Sequence, residues 1–179
     1  MRVVFRRRNQ GASGQGNNQV SGEQVAQGLR RQILDLDPAE AGLDRFSAGR
    51  RVWGALLETG YPSATATLVA LADGTTSLYL STGGGIIGGG AHARVAAATR
   101  SFLTAVEDHL GLLSPDADSD VPVAGRVIIR ALTYQGRYRA DAPADDLGHG
   151  QHPLSAVFYA GHGVLTELRT IDQARGAGG

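Results

Sequence analysis

The chain contains no cysteine and no lysine; all 17 of its basic residues are arginine. The first absence excludes disulfides, thiol nucleophiles and Cys-ligated zinc. The second excludes Schiff-base chemistry and the phosphate-binding lysine of a P-loop. A GC-rich genome accounts for the arginine-only usage, and the chemical exclusions hold whatever its cause. No run approaches the eighteen or so apolar residues of a membrane span. The basic start, MRVVFRRRNQ, has no apolar stretch of the kind that marks a secretory signal. A cytoplasmic location is therefore expected.

What is present suits one globular domain. The 179 residues are 42% apolar, enough for a sizeable core. Net charge is zero but uneven. The first ten residues carry four arginines and no acid, and the rest carry 13 arginines against 17 acids. A slightly acidic body is a poor nucleic-acid binder, which leaves only the N-terminal tip for such contacts.

Residues 1–21 are basic, polar and glycine-rich and are expected to be a disordered tail. Ser21 reads as an N-cap. Val25, Leu29, Ile33 and Leu36 recur at helical spacing, so residues 22–44 are read as an amphipathic helix and linker. Residues 45–172 are read as one α+β domain, and 173–179 as a flexible tail. A second helix is expected over Ala48–Glu58, with Val52, Trp53 and Leu56 inward.

Residues 63–82, containing ATATLVALADGTTSLYLST, read as a hairpin about Asp73-Gly74. A two-residue type I′ turn there sets Val69 opposite Leu78 and Thr67 opposite Leu80. Val69, Leu71, Leu78 and Leu80 then form the core face, and Leu68 and Tyr79 the other. A long helix is expected over about Ala91–Leu113. Val95, Thr99, Phe102, Leu103, Val106, Leu110 and Leu113 form its apolar stripe. The acidic SPDADSD (114–120) reads as a surface loop, and residues 142–153 as a polar one. GRVIIRALTY and RYRAD form a second hairpin about Gln135-Gly136, with Val127, Ile129 and Ala131 inward. LSAVFY and VLTELR read as a last strand pair around AGHG, which puts His162 at an exposed turn. The sum is an antiparallel sheet of about five to six strands with helices packed on one face, an α+β fold.

In this order of elements, Ala48 to Arg169 resembles the roadblock/longin-like and profilin-like domains. No motif of those families matches residue by residue, so the resemblance carries over no functional position. The segment DGTTSLYLSTGGGIIGGG is also similar to small uncharacterised proteins of high-GC bacteria, a likeness that implies no activity.

Three stretches invite a functional reading. In LSTGGGIIGGG, Gly83 to Gly88 matches G-x-G-x-x-G, but an antiparallel hairpin precedes it, and the expected acids, Glu107 and Asp108, lie inside a helix. The loop is read first as a crossover. Gly85, Ile86, Ile87, Gly88 and His92 are its candidate contacts for a partner, or for an anion at the following helix N-terminus. Arg126, Arg130, Arg137 and Arg139 share a face with Tyr134. Of these, Arg130, Arg137 and Arg139 are candidate contacts for phosphate or base, against the plainer reading of an exposed sheet face with Arg130 paired to Asp141. His149 and His152 follow Asp145 and Asp146 in DDLGHGQHP but match no metal motif, and are read as a solvated loop. No cofactor, metal or catalytic set is expected. A non-enzymatic interaction or scaffold module, binding a protein partner or a second copy of itself, is the leading expectation. Its alternative is a small-molecule, nucleotide or anion-binding domain that uses the glycine loop.

Overall fold

The structure is a computed structural model and describes residues 21–43 and 49–176. The expected N-terminal tail, apart from Ser21, lies outside the described residues.

Helix α1 spans Gly22–Leu34. Ser21 caps it as expected, in a reciprocal box with Gln24 that satisfies two otherwise free backbone donors. Its buried residues are Ala26, Ile33 and Leu34, whereas Val25 is exposed, so the buried stripe is rotated from the expected one. The strands are β1 (Val52–Gly60), β2 (Thr65–Leu71), β3 (Thr76–Leu80), β4 (Gly85–Ile86), β5 (Ser114–Pro115), β6 (Arg126–Thr133) and β7 (Gly136–Pro143). Helix α2 (Ala93–Asp108) lies between β4 and β5, and α3 (Ala144–Gly148) and α4 (Ser155–Gly176) follow β7. The sheet is antiparallel throughout, in the order β4-β3-β2-β1-β6-β7-β5. The fold is therefore α+β, with seven strands rather than five or six.

Both faces of the sheet are covered. On one, Leu57, Leu68, Leu78, Val127 and Ile129 pack with Phe102 of α2 and Val164 and Leu168 of α4. The expected stripe of Val95 to Leu113 is buried in full, although α2 ends at Asp108 and Leu110 lies in a short 3-10 turn that follows it. On the other, Ile33 and Leu34 of α1 pack with Trp53, Leu56, Val69, Leu71, Tyr79 and Leu132.

Four expectations are corrected, the first two because of this two-sided burial. Residues 52–58, expected to be helical, belong to the central strand β1. Nearly every side chain in it is buried, so it lacks the alternation that marks a one-sided strand.

The first hairpin is shifted by one residue, with Leu68 opposite Leu78 and Ala70 opposite Thr76. Its loop has three residues, Ala72-Asp73-Gly74. Gly74 N–H donates to the Leu71 carbonyl (3.0 Å), Leu71 N–H donates to the Thr75 carbonyl (2.9 Å), and Gly74 has φ 89°. That is a type I turn followed by a left-handed glycine. The shift exchanges the faces, so Val69 and Leu71 pack under α1 and Leu68 under α2 and α4.

The second hairpin turns at Tyr134-Gln135, so Thr133 faces Gly136 and Arg130 faces Arg139. This register differs by two residues from the expected one, and the faces are kept.

The expected last strand pair is instead the single helix α4. It continues to Gly176, through residues read as the start of a loose tail. Val157, Phe158, Val164, Leu165 and Leu168 form its buried stripe. Gly161 lies against the sheet: a Cβ there would sit 2.7 Å from Leu57 Cδ2 and 3.3 Å from Phe102 Cε2. The glycines read as a turn thus include one that lets a helix approach closely. Within the two segments read as loops, 114–120 contributes β5 and 142–153 contributes α3.

Candidate functional site

The arginine face differs from its sequence reading in exposure. Arg130 is wholly buried, and its pairing is not with Asp141. Its guanidinium donates through Nη1 to Glu58 Oε2 and through Nε to Asp116 Oδ2 (2.9 Å). Nη2 donates to Asp120 Oδ1 and to the Asp120 carbonyl, both at 2.9 Å. Glu58, also fully buried, accepts Nε of Arg30 at 2.6 Å and the Thr67 hydroxyl at 3.1 Å on its other oxygen. Arg30 further reaches the Ser119 and Asp120 carbonyls. Arg139 pairs with Asp120 (2.6 Å), and Arg126 with Asp141 (2.7 Å). Arg137 donates weakly to the Leu34 and Asp118 carbonyls. The acidic loop therefore folds over the arginines and neutralises them. Buried charge of this kind is costly unless every group is matched, and here the partners come from α1, β1, β6 and the loop. The arrangement staples α1 and the loop to the sheet.

The glycine loop also approaches its own chain. A Cβ at Gly90 would overlap the Gly74 carbonyl oxygen, and one at Gly85 the Leu78 carbonyl oxygen. Ile86, opposite Leu78, packs against the core, while Ile87 is 58% exposed. Gly88 is left-handed (φ 78°), and His92 is the N-cap residue of α2 without a side-chain cap bond. The structure thus brings Gly85, Ile86, Ile87, Gly88 and His92 together along one sheet edge and helix start. It places Arg130, Arg137 and Arg139 elsewhere, across the sheet beneath the acidic loop.

Among the described residues, no group of three His, Asp or Glu is placed to hold a metal ion. His152 Nδ1 accepts the Leu154 N–H at 3.1 Å, which fixes a local turn.

A third place emerges only in three dimensions. A cavity of about 240 Å³ opens between the ends of β1–β3 and α4. Leu57, Leu68, Leu78 and Leu165 form its apolar wall, with Tyr61 and Leu80 at its rim and His162 and Arg169 from α4. His162, expected at an exposed turn, is half-buried on α4 with its ring 4.2 Å from that of Phe158. Its Nε2 is buried without a hydrogen-bond partner among the described residues. Burial, and after it the nearby Arg169 charge, hold the His162 pKa below the usual imidazole value. Arg169 is exposed and takes no salt bridge among the described residues. The rim carries exposed apolar groups: Tyr61 is 50% exposed and Leu80 37%.

Sequence reading missed this cavity because Leu80 was placed on a core face and residues 154–169 were assigned to strands. The available signal was the spacing of Val157, Phe158, Val164, Leu165 and Leu168, which fits a helix.

No family model, curated protein or solved structure matches this chain. Among the described residues, no helix is long and apolar enough to cross a membrane.

Proposed function

We propose that this chain is a non-enzymatic protein-interaction module, acting in the cytoplasm, that receives an apolar segment of a partner at the cavity between β1–β3 and α4. One observation carries the reading: exposed Tyr61 and Leu80 rim a concave apolar cavity. Exposed apolar groups that converge on a concavity mark contact surfaces, whereas scattered ones do not. The cavity is smaller than the roughly 300–1,000 Å³ of drug-sized sites, which suits one or two side chains. The alternative, a nucleotide or anion at the start of α2, has less support. The loop glycines are used for contact with the chain itself, and the clustered arginines are already paired.

The test is selection from a displayed random peptide library on the full chain and on Leu80→Glu. Enrichment of peptides with large apolar residues on the wild type, lost on Leu80→Glu, is expected. No enrichment and no self-association, or enrichment that survives the substitution, would overturn the reading. Enrichment replaced by concentration-dependent dimerisation that Leu80→Glu abolishes would identify a second copy as the partner and support it.

A further inference from the structure

We infer that the cavity recognises the C-terminal end of a partner chain: an apolar last side chain enters between Leu57, Leu68, Leu78 and Leu165, and the terminal carboxylate is held by Arg169. The inference rests on the interaction reading above and adds its chemistry.

Three observations carry it. The cavity wall is aliphatic, and its volume of about 240 Å³ accommodates a side chain rather than an extended segment. Among the described residues its only formal charge is Arg169, and no acidic side chain lines it. That distinguishes it from the concavity lined by Asp118, Asp120, Asp141 and Arg139, whose groups already pair with one another. Arg169 forms no ion pair among the described residues, so its guanidinium, a planar donor suited to a carboxylate, is available. An apolar group followed by an anion is the ligand that fills the cavity and answers its charge. A chain end is preferred to a free acid because exposed Tyr61 and Leu80 at the rim offer area for preceding residues.

The experiment uses the full chain, ¹⁵N-labelled, and three probes. These are the peptide acetyl-Gly-Ser-Gly-Ser-Leu with a free carboxylate, the same peptide amidated, and hexanoate. Amide signals of Tyr61, Leu80 and Leu165 report binding. The free acid should bind roughly tenfold more tightly than the amide, a difference that corresponds to about 1.4 kcal/mol. Arg169→Gln, at an exposed position, should leave the spectrum of the free protein otherwise intact and bring the acid down to the affinity of the amide. Equal affinities in the wild type would overturn this inference alone. Hexanoate binding as tightly as the peptide would overturn the assignment to a chain end. Binding by none of the probes, together with an empty library selection and no self-association, would overturn this inference and the interaction reading together.

Discussion

Glu58 accepts from two arginines and a threonine with no access to water, whereas Asp141 meets Arg126 at the surface. The two ion pairs should respond very differently to loss of charge. Glu58→Gln leaves Arg30 and Arg130 partly uncompensated in a buried setting and is expected to cost about 3–5 kcal/mol. Arg126→Gln, whose pair is more than a third exposed, should cost no more than about 1 kcal/mol. Urea titration of both variants checks this, and similar midpoints would contradict the burial of the cluster. Glu107 works at an intermediate depth. Burial alone pushes its carboxyl pKa up, but hydrogen bonds from the Arg51 side chain and from the Val52 and Arg51 N–H groups outweigh it. The net pKa lies below the ordinary value. A carboxylate whose folded pKa is depressed stabilises above its unfolded pKa, and that contribution fades as pH falls through the folded value. Glu107→Gln should therefore lower the melting temperature at neutral pH and reduce its fall on acidification. An unchanged acid profile would show that the latch between α2 and β1 contributes nothing.

At the scale of elements, helix α4 and the glycine crossover each give a paired test. Gly161→Ala places a methyl against Leu57 and Phe102 and should destabilise by about 1–3 kcal/mol. Gly163→Ala meets nothing within 4 Å and removes a helix-interior glycine, so it should stabilise by up to about 1 kcal/mol. Opposite signs in thermal melts are the expected result, and equal shifts would contradict the packing of α4. In the crossover, Ile86→Ser should lower the melting temperature because Ile86 packs on the core, while Ile87→Ser should leave it nearly unchanged. ATP, GTP or NAD should produce no thermal shift. A nucleotide at a hundred times its dissociation constant would add about 2.7 kcal/mol, which a melt would register.

For the molecule as a whole, legibility in the sequence followed burial. The α2 stripe was readable because one face of that helix meets the core and the other meets solvent, so its periodicity is clean. Ser21 was readable because capping is local chemistry. The central strand and the first hairpin were not. Strands buried on both sides show no regular alternation of apolar and polar residues, so neither their type nor their register is written in it. Residues 155–169 were misread because Gly161 and Gly163 resemble a turn, although one serves close packing. The arginine face was recognised as a cluster, and its register error of two residues preserved the facing. Its burial was invisible, because the acidic loop that covers it is adjacent only after folding. The cavity joins residues from β1, β2, β3 and α4 and had no contiguous signal. This cavity, and neither the glycine loop nor the arginine face, is proposed as the contact site. Titrating a library-selected peptide into the ¹⁵N-labelled full chain tests it most directly. Saturable shifts concentrated at Tyr61, Ala66, Leu80, Leu165 and Arg169 are expected. Shifts concentrated instead at Gly85–His92, or at Arg130, Arg137 and Arg139, would contradict it.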